Sequence, residues 1–103
     1  MELVYRRRLN CTDTSRTFDA VLPDSHLGGV FHFEKDATGK WSYGKSEWHK
    51  LIGEMTKEDG PVIKAASIKV NQCFAKNPDE ELVTVNLSDD DIAAVRRQME
   101  EDE

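Results

Sequence analysis

Residues 29–55 read GVFHFEKDATGKWSYGKSEWHKLIGEM, a stretch that carries both tryptophans and two of the four phenylalanines. Phe31 and Phe33 share one face of a strand, and Trp41 and Tyr43 one face of the next. Between them, Ala37-Thr38-Gly39 makes a three-residue loop, with Gly39 at the left-handed position of a type I turn plus bulge. That loop pairs Asp36 with Lys40, Lys35 with Trp41 and Phe33 with Tyr43. An even loop would set Phe33 opposite Ser42 and throw the aromatics onto opposite faces, so the pattern selects the three-residue turn. Further on, Ser46 fits an N-cap, with Glu47 near the positive end of the helix dipole. Trp48, Leu51, Ile52 and Met55 then follow at i, i+3, i+4 and i+7. The expected structure is a hairpin running directly into an amphipathic helix.

Upstream, Leu3 to Leu9 reads as a strand with Leu3, Tyr5 and Leu9 on one face, interrupted by Arg7. Cys11 to Ser15 is a polar turn. Arg16 to Leu22 is a second strand with Phe18, Ala20 and Leu22 on one side, ended by Pro23. Downstream, Lys57 to Pro61 closes the first helix. Val62 to Val70 fits two periods. A strand places Val62, Ala66, Ile68 and Val70 together at the cost of Lys64. A helix groups Ile63, Ala66, Val70, Cys73 and Phe74 and leaves Ile68 outside. The β-branched content favours the strand. Leu82 to Leu87 is a strand with Val83, Val85 and Leu87 inward.

Ser88 is the strongest helix start in the chain, an N-cap followed by Asp89, Asp90 and Asp91 in the first turn. Ile92, Val95 and Met99 give that helix a narrow apolar stripe, and residues 100–103, acidic at a helix C-terminus, are expected to fray. The whole chain, residues 1–103, is expected to be one α+β domain: a mostly antiparallel sheet of four to six strands with two helices.

Composition narrows the function. The net charge is −6. Residues 88–103 contribute seven carboxylates and two arginines, which leaves a net of only −1 for the rest. Such a chain is ill suited to general nucleic-acid or anionic-lipid binding, which depends on neutralising phosphates. No run approaches the ~18 apolar residues of a membrane span. The N-terminus lacks the pattern of a secretory signal, so the expected compartment is the cytosol and the two cysteines, Cys11 and Cys73, are expected to be reduced.

Candidate chemistry is sparse. His26, His32 and His49 are dispersed and lack helical metal-ligand spacing, and no nucleotide or nucleophile motif occurs. Asp89, Asp90 and Asp91 point about 100° apart on a helix, so they do not converge on one ion. No catalytic residue, metal or cofactor is expected. Arg6-Arg7-Arg8 is split between the two faces of its strand and makes no single basic patch. Arg7, on the apolar face, is expected either to pair with a carboxylate such as Glu81 or Asp91, or to serve as an interface contact.

In size and charge the chain resembles small acidic inhibitors, immunity proteins and phage-encoded antagonists, although no motif assigns a family. That resemblance implies a non-enzymatic module that binds a basic protein partner. The contacts would be Asp89, Asp90, Asp91, Glu100, Glu101 and Asp102, with Arg7 beside them. Two alternatives stand next to it: an accessory subunit docking through a sheet edge or apolar patch, and a small enzyme or ligand-binding domain with a pocket near His32 and His49. Self-association through an exposed edge has no sequence feature in its favour.

Overall fold

The computed structural model describes residues 1–9 and 11–101. Five antiparallel strands, β1 (Glu2–Arg7), β2 (Ser15–Leu22), β3 (Leu27–Glu34), β4 (Lys45–Lys50) and β5 (Leu82–Asn86), form one sheet in the order β4-β3-β2-β1-β5. Two helices, α1 (Asp59–Lys76) and α2 (Asp89–Glu101), accompany it, giving the α+β class that the sequence implied. The strand order explains α1. β4 and β5 lie at opposite edges, four inter-strand spacings or roughly 19 Å apart, so the chain must cross the sheet between them. An 18-residue helix, roughly 27 Å long, spans that distance while covering the apolar side.

The three-residue turn is present. Gly39 has φ +86°, the Asp36 N–H donates to the Lys40 carbonyl at 2.9 Å, and Lys35 pairs with Trp41. Beyond the Ser42 N–H, which donates to the Glu34 carbonyl at 2.8 Å, the register slips by one: His32 pairs with Lys45, so Tyr43 and Gly44 together face Phe33. This bulge transfers the inward side from the odd residue Trp41 to the even residues Ser46, Trp48 and Lys50. Both tryptophans thereby reach the core although their numbers differ in parity, and Tyr43, expected inside, is 69% exposed.

The helix expected from Ser46 is instead strand β4, pairing with β3 from Leu27↔Lys50 to His32↔Lys45. Cross-strand pairing overrides the helical period here because β3 provides a seat for the indole. A Cβ on Gly29 would stand 2.7 Å from Trp48 Cδ2, so only glycine lets that ring lie against the strand. Trp48 Nε1 donates to Ser67 Oγ at 3.1 Å, tying the edge to α1. The remaining members of the supposed stripe, Leu51, Ile52 and Met55, lie in the connection to α1 and are exposed.

Residues 62–70, read as a strand, belong to α1. Its start is signed by Thr56: the Asp59 carboxylate accepts from the Thr56 N–H at 2.9 Å while the Asp59 N–H donates to the Thr56 carbonyl at 3.2 Å. Lys50 Nζ, on the last residue of β4, reaches both Asp59 oxygens at 3.2 Å. The Thr56 amide and then the Lys50 ammonium hold the Asp59 carboxyl below the usual carboxylate range. Val62, Ala65, Ala66, Val70 and Phe74 line the buried side of α1. Against them pack Leu3 and Tyr5 of β1, Phe18, Ala20 and Leu22 of β2, and Leu27, Phe31 and Phe33 of β3. β1 ends at Arg7, before the expected Leu9, which is fully solvated.

Tyr5 is 1% exposed, and its hydroxyl has no oxygen or nitrogen partner; burial, then the nearby Cys73 thiol, push its pKa up. Removing an unsatisfied buried hydroxyl from a well-packed ring is close to neutral. Tyr5→Phe is therefore expected to leave stability unchanged or raise it by about 1 kcal/mol in urea denaturation. A clear loss would mean the hydroxyl has a partner in solution.

Candidate functional site

The α2 start matches its sequence signature. Ser88 Oγ accepts from the Asp91 N–H at 3.1 Å, and the Asp91 carboxylate accepts from the Ser88 N–H at 3.2 Å, a reciprocal capping box. The Ser88 hydroxyl and amide, with Lys69 Nζ at 3.8 Å, hold the Asp91 carboxyl below its ordinary pKa. Asp91 is thus occupied within the fold. Asp89 and Asp90, its neighbours, are solvent-exposed. Glu2 pairs with Asn86 across the β1–β5 ladder, which places a third exposed carboxylate at the same end of the sheet.

Glu100 and Glu101 are exposed near the far end of α2, about eleven residues or roughly 16 Å from the aspartates. The sequence-predicted carboxylates therefore form two groups along one helix, separated by exposed Arg96 and Arg97. Asp102 lies outside the described residues. Arg7 Nη2 bonds Glu81 Oε1 at 3.0 Å, the pairing foreseen as the simpler of its two readings.

That ion pair belongs to the opposite end of β5. There Arg16, buried and lying over the Trp41 ring, donates through Nη1 to the Pro78 carbonyl at 2.6 Å and to Asp79 at 3.3 Å. Arg8 makes a two-pronged pair with Asp19 at 2.8 and 3.0 Å. A cleft of about 590 Å³ opens among Arg6, Arg7, Arg8, Cys11 and Arg16. Its guanidiniums at 7, 8 and 16 already carry carboxylate partners, so the cluster has little charge left for phosphates.

His32 of β3 and His49 of β4 occupy the sheet face that the helices leave open, and His26 sits in the turn between β2 and β3. His32 contacts Thr17 Oγ1 and Glu34 Oε1, both at 3.1 Å. His49 pairs with Gly28, four residues from His32 along β3, a separation of roughly 13 Å. Among the described residues no three metal-ligating side chains cluster, and no helix is long and apolar enough to cross a membrane.

Two further surfaces escaped the sequence reading. Leu51, Ile52 and Met55 make an exposed apolar loop beside β4. The two sheet edges also differ in kind: β4 carries Lys45, Glu47 and Lys50, whereas β5, LVTVN, carries no charge. That contrast was visible in the residues, but it acquires meaning only once the strand order makes both of them edges. Comparison with protein-family models, with curated proteins and with solved structures finds no match for this chain.

Proposed function

We propose that this protein is a non-enzymatic binding module that docks a basic protein partner, acting as an inhibitor or antagonist by occupying the partner's anion-binding surface. What supports the reading is the distribution of unengaged charge. Asp89 and Asp90 are exposed and have no ion-pair partner among the described residues, and Glu2 stands at the same end, whereas Arg7, Arg8 and Arg16 are consumed by internal carboxylates. An acidic surface of this kind accelerates encounter with a cationic one and orients it.

The test compares wild type with Asp89→Lys/Asp90→Lys in affinity capture from source-cell lysate, followed by association kinetics on the captured partner. The expected result is a basic partner that elutes with salt, and an association rate about tenfold slower in the variant with a flatter salt dependence. Unchanged rates, with the variant's helicity intact by circular dichroism, would remove the electrostatic reading.

A second reading has its own observation. The exposed Leu51, Ile52 and Met55 suit an accessory subunit that docks by apolar burial. Salt-insensitive binding lost in Ile52→Asp and retained in the aspartate variant would favour it.

A further inference from the structure

The outer face of α2 carries charges of both signs in a fixed order. Seven residues return an α-helix to within about 20° of the same direction, so Asp89 and Arg96 share one flank of that face and Asp90 and Arg97 the other. Ala93 lies midway between them. All five residues are exposed, and the four charged ones make no ion pair among the described residues. Glu100 and Glu101 follow the arginines at i+4, the less favourable order for a pair within one helix. This face differs in kind from the arginine cleft, where Arg7, Arg8 and Arg16 are already held by carboxylates.

The order of charge fits a second copy of itself. An antiparallel α2 pair with its two-fold axis at Ala93 sets Asp89 of one copy beside Arg96 of the other on one flank. On the opposite flank it sets Asp90 beside Arg97. The paired residues differ in height by one helical rise, about 1.5 Å. Symmetry repeats both contacts, so the alanine contact is enclosed by attractive pairs on both flanks. A parallel pair would set like charges level and is repelled. Ala93 presents only a methyl group, so the two axes can approach to about 8 Å, the near end of the usual range. Beside the Asp89–Arg96 flank a cleft of about 1070 Å³ separates α2 from residues 57–62, so this side is not covered by the chain itself. Lys57 and Glu58 on its rim are opposite in sign and favour neither orientation.

We propose that α2 is a self-recognition surface through which two copies of this chain pair antiparallel about Ala93, in a weak and salt-sensitive dimer. Exposed ion pairs contribute little singly, and the contact is correspondingly reversible. The proposal does not rest on the acidic-docking reading, but it uses the same Asp89 and Asp90. A basic partner would have to displace the second copy to reach them.

Sedimentation equilibrium of the wild-type chain is expected to show a monomer–dimer equilibrium at low salt, with an association constant that falls about tenfold or more at high salt. Asp89→Lys/Asp90→Lys and Arg96→Glu/Arg97→Glu are each expected to be monomeric, because each sets like charges together on both flanks. An equimolar mixture of the two variants restores opposite charges at every contact and is expected to form a heterodimer. Facing Cα atoms on helices so closely packed lie within about 5.5 Å, inside disulfide reach. Ala93→Cys is therefore expected to cross-link on mild oxidation, and Ala75→Cys, exposed on α1, is not.

A dimer that survives both charge reversals, a mixture that stays monomeric, or equal disulfide yields at 75 and 93 would overturn the proposal. So would a wild-type chain that remains monomeric at low salt at the highest concentration reached. Should the lysine variant fail to fold, the salt dependence and Ala93→Cys make the test on chains whose charges are native. Partner association separates this proposal from the docking reading, because Arg96→Glu/Arg97→Glu is expected to lose the dimer and keep the partner. If no dimer forms while partner association still depends on Asp89 and Asp90, self-pairing is wrong and docking stands. If the dimer forms and Asp89→Lys/Asp90→Lys leaves partner association unchanged, self-pairing stands alone.

Discussion

Truncating Phe74 to alanine is expected to remove about 3–5 kcal/mol of stability, which for a chain of this size is a fifth or more of a total of roughly 5–15 kcal/mol. Phe74 is 2% exposed and is the point where α1 grips the sheet. Its ring stacks on Phe33 at 3.8 Å and 14°, and meets the rings of Phe18 at 5.7 Å and Trp41 at 5.1 Å edge to face. Each neighbour is held from another direction, Phe18 by Tyr5 and Trp41 by Arg16, so the surroundings can collapse little into the void. Urea denaturation would read the loss, and Trp41 emission should shift to the red as its partner ring disappears. A cost below about 1 kcal/mol would show that this aromatic cluster is not the anchor of the helix.

Gly44→Ala should rank next, at about 2–3 kcal/mol, far more than an ordinary glycine substitution in an extended segment. A Cβ there would lie 2.5 Å from Phe33 Cε1 and 2.6 Å from Cζ, and Phe33 cannot turn aside because Phe74 is stacked on it. The Gly44 N–H also donates to Asn71 Oδ1 at 2.8 Å, so moving the backbone outward breaks a tie to α1. Gly53 provides the contrast. It has φ +80° with open space around it, so Gly53→Ala carries backbone strain alone and should cost about 1 kcal/mol. Comparing the two melting temperatures separates the steric requirement from the conformational one. If they coincide, the contact with Phe33 is not what demands glycine at 44.

The bulge at this glycine also shows where sequence reasoning stopped. The turn at Ala37–Gly39 was legible because loop length, left-handed glycine and aromatic parity all agree. The capping box of α2 was legible because Ser88 and Asp91 are three residues apart and need nothing else. Trp48 was misassigned for a physical reason. Trp48, Leu51, Ile52 and Met55 have helical spacing, yet the indole of Trp48 is claimed by the bare backbone of Gly29, nineteen residues earlier. No local period reports a seat of that kind.

The start of α1 could have been found. Thr56-Lys57-Glu58-Asp59 has the same spacing of hydroxyl and carboxylate as Ser88-Asp89-Asp90-Asp91, and Pro61 in the first turn supports it. The β-branched residues Val62, Ile63, Ile68 and Val70 mask that signal with a strand-like composition. For the candidate site, the acidity of Asp89 and Asp90 was plain in the residues. The engagement of Asp91 and the 16 Å gap to Glu100 depend on the helix that carries them.

β5 is bonded to the sheet through β1 alone, and the Arg7–Glu81 pair that closes this ladder joins residues 74 positions apart. β2, β3 and β4, by contrast, follow one another as neighbouring hairpins, whose loops close at little entropic cost. The meander can therefore form early, and the β5–α2 arm arrives after the rest of the chain is in place. β5 is accordingly the strand expected to open first when the native protein fluctuates, and its amides should exchange faster than those of β2 and β3, which are paired on both sides.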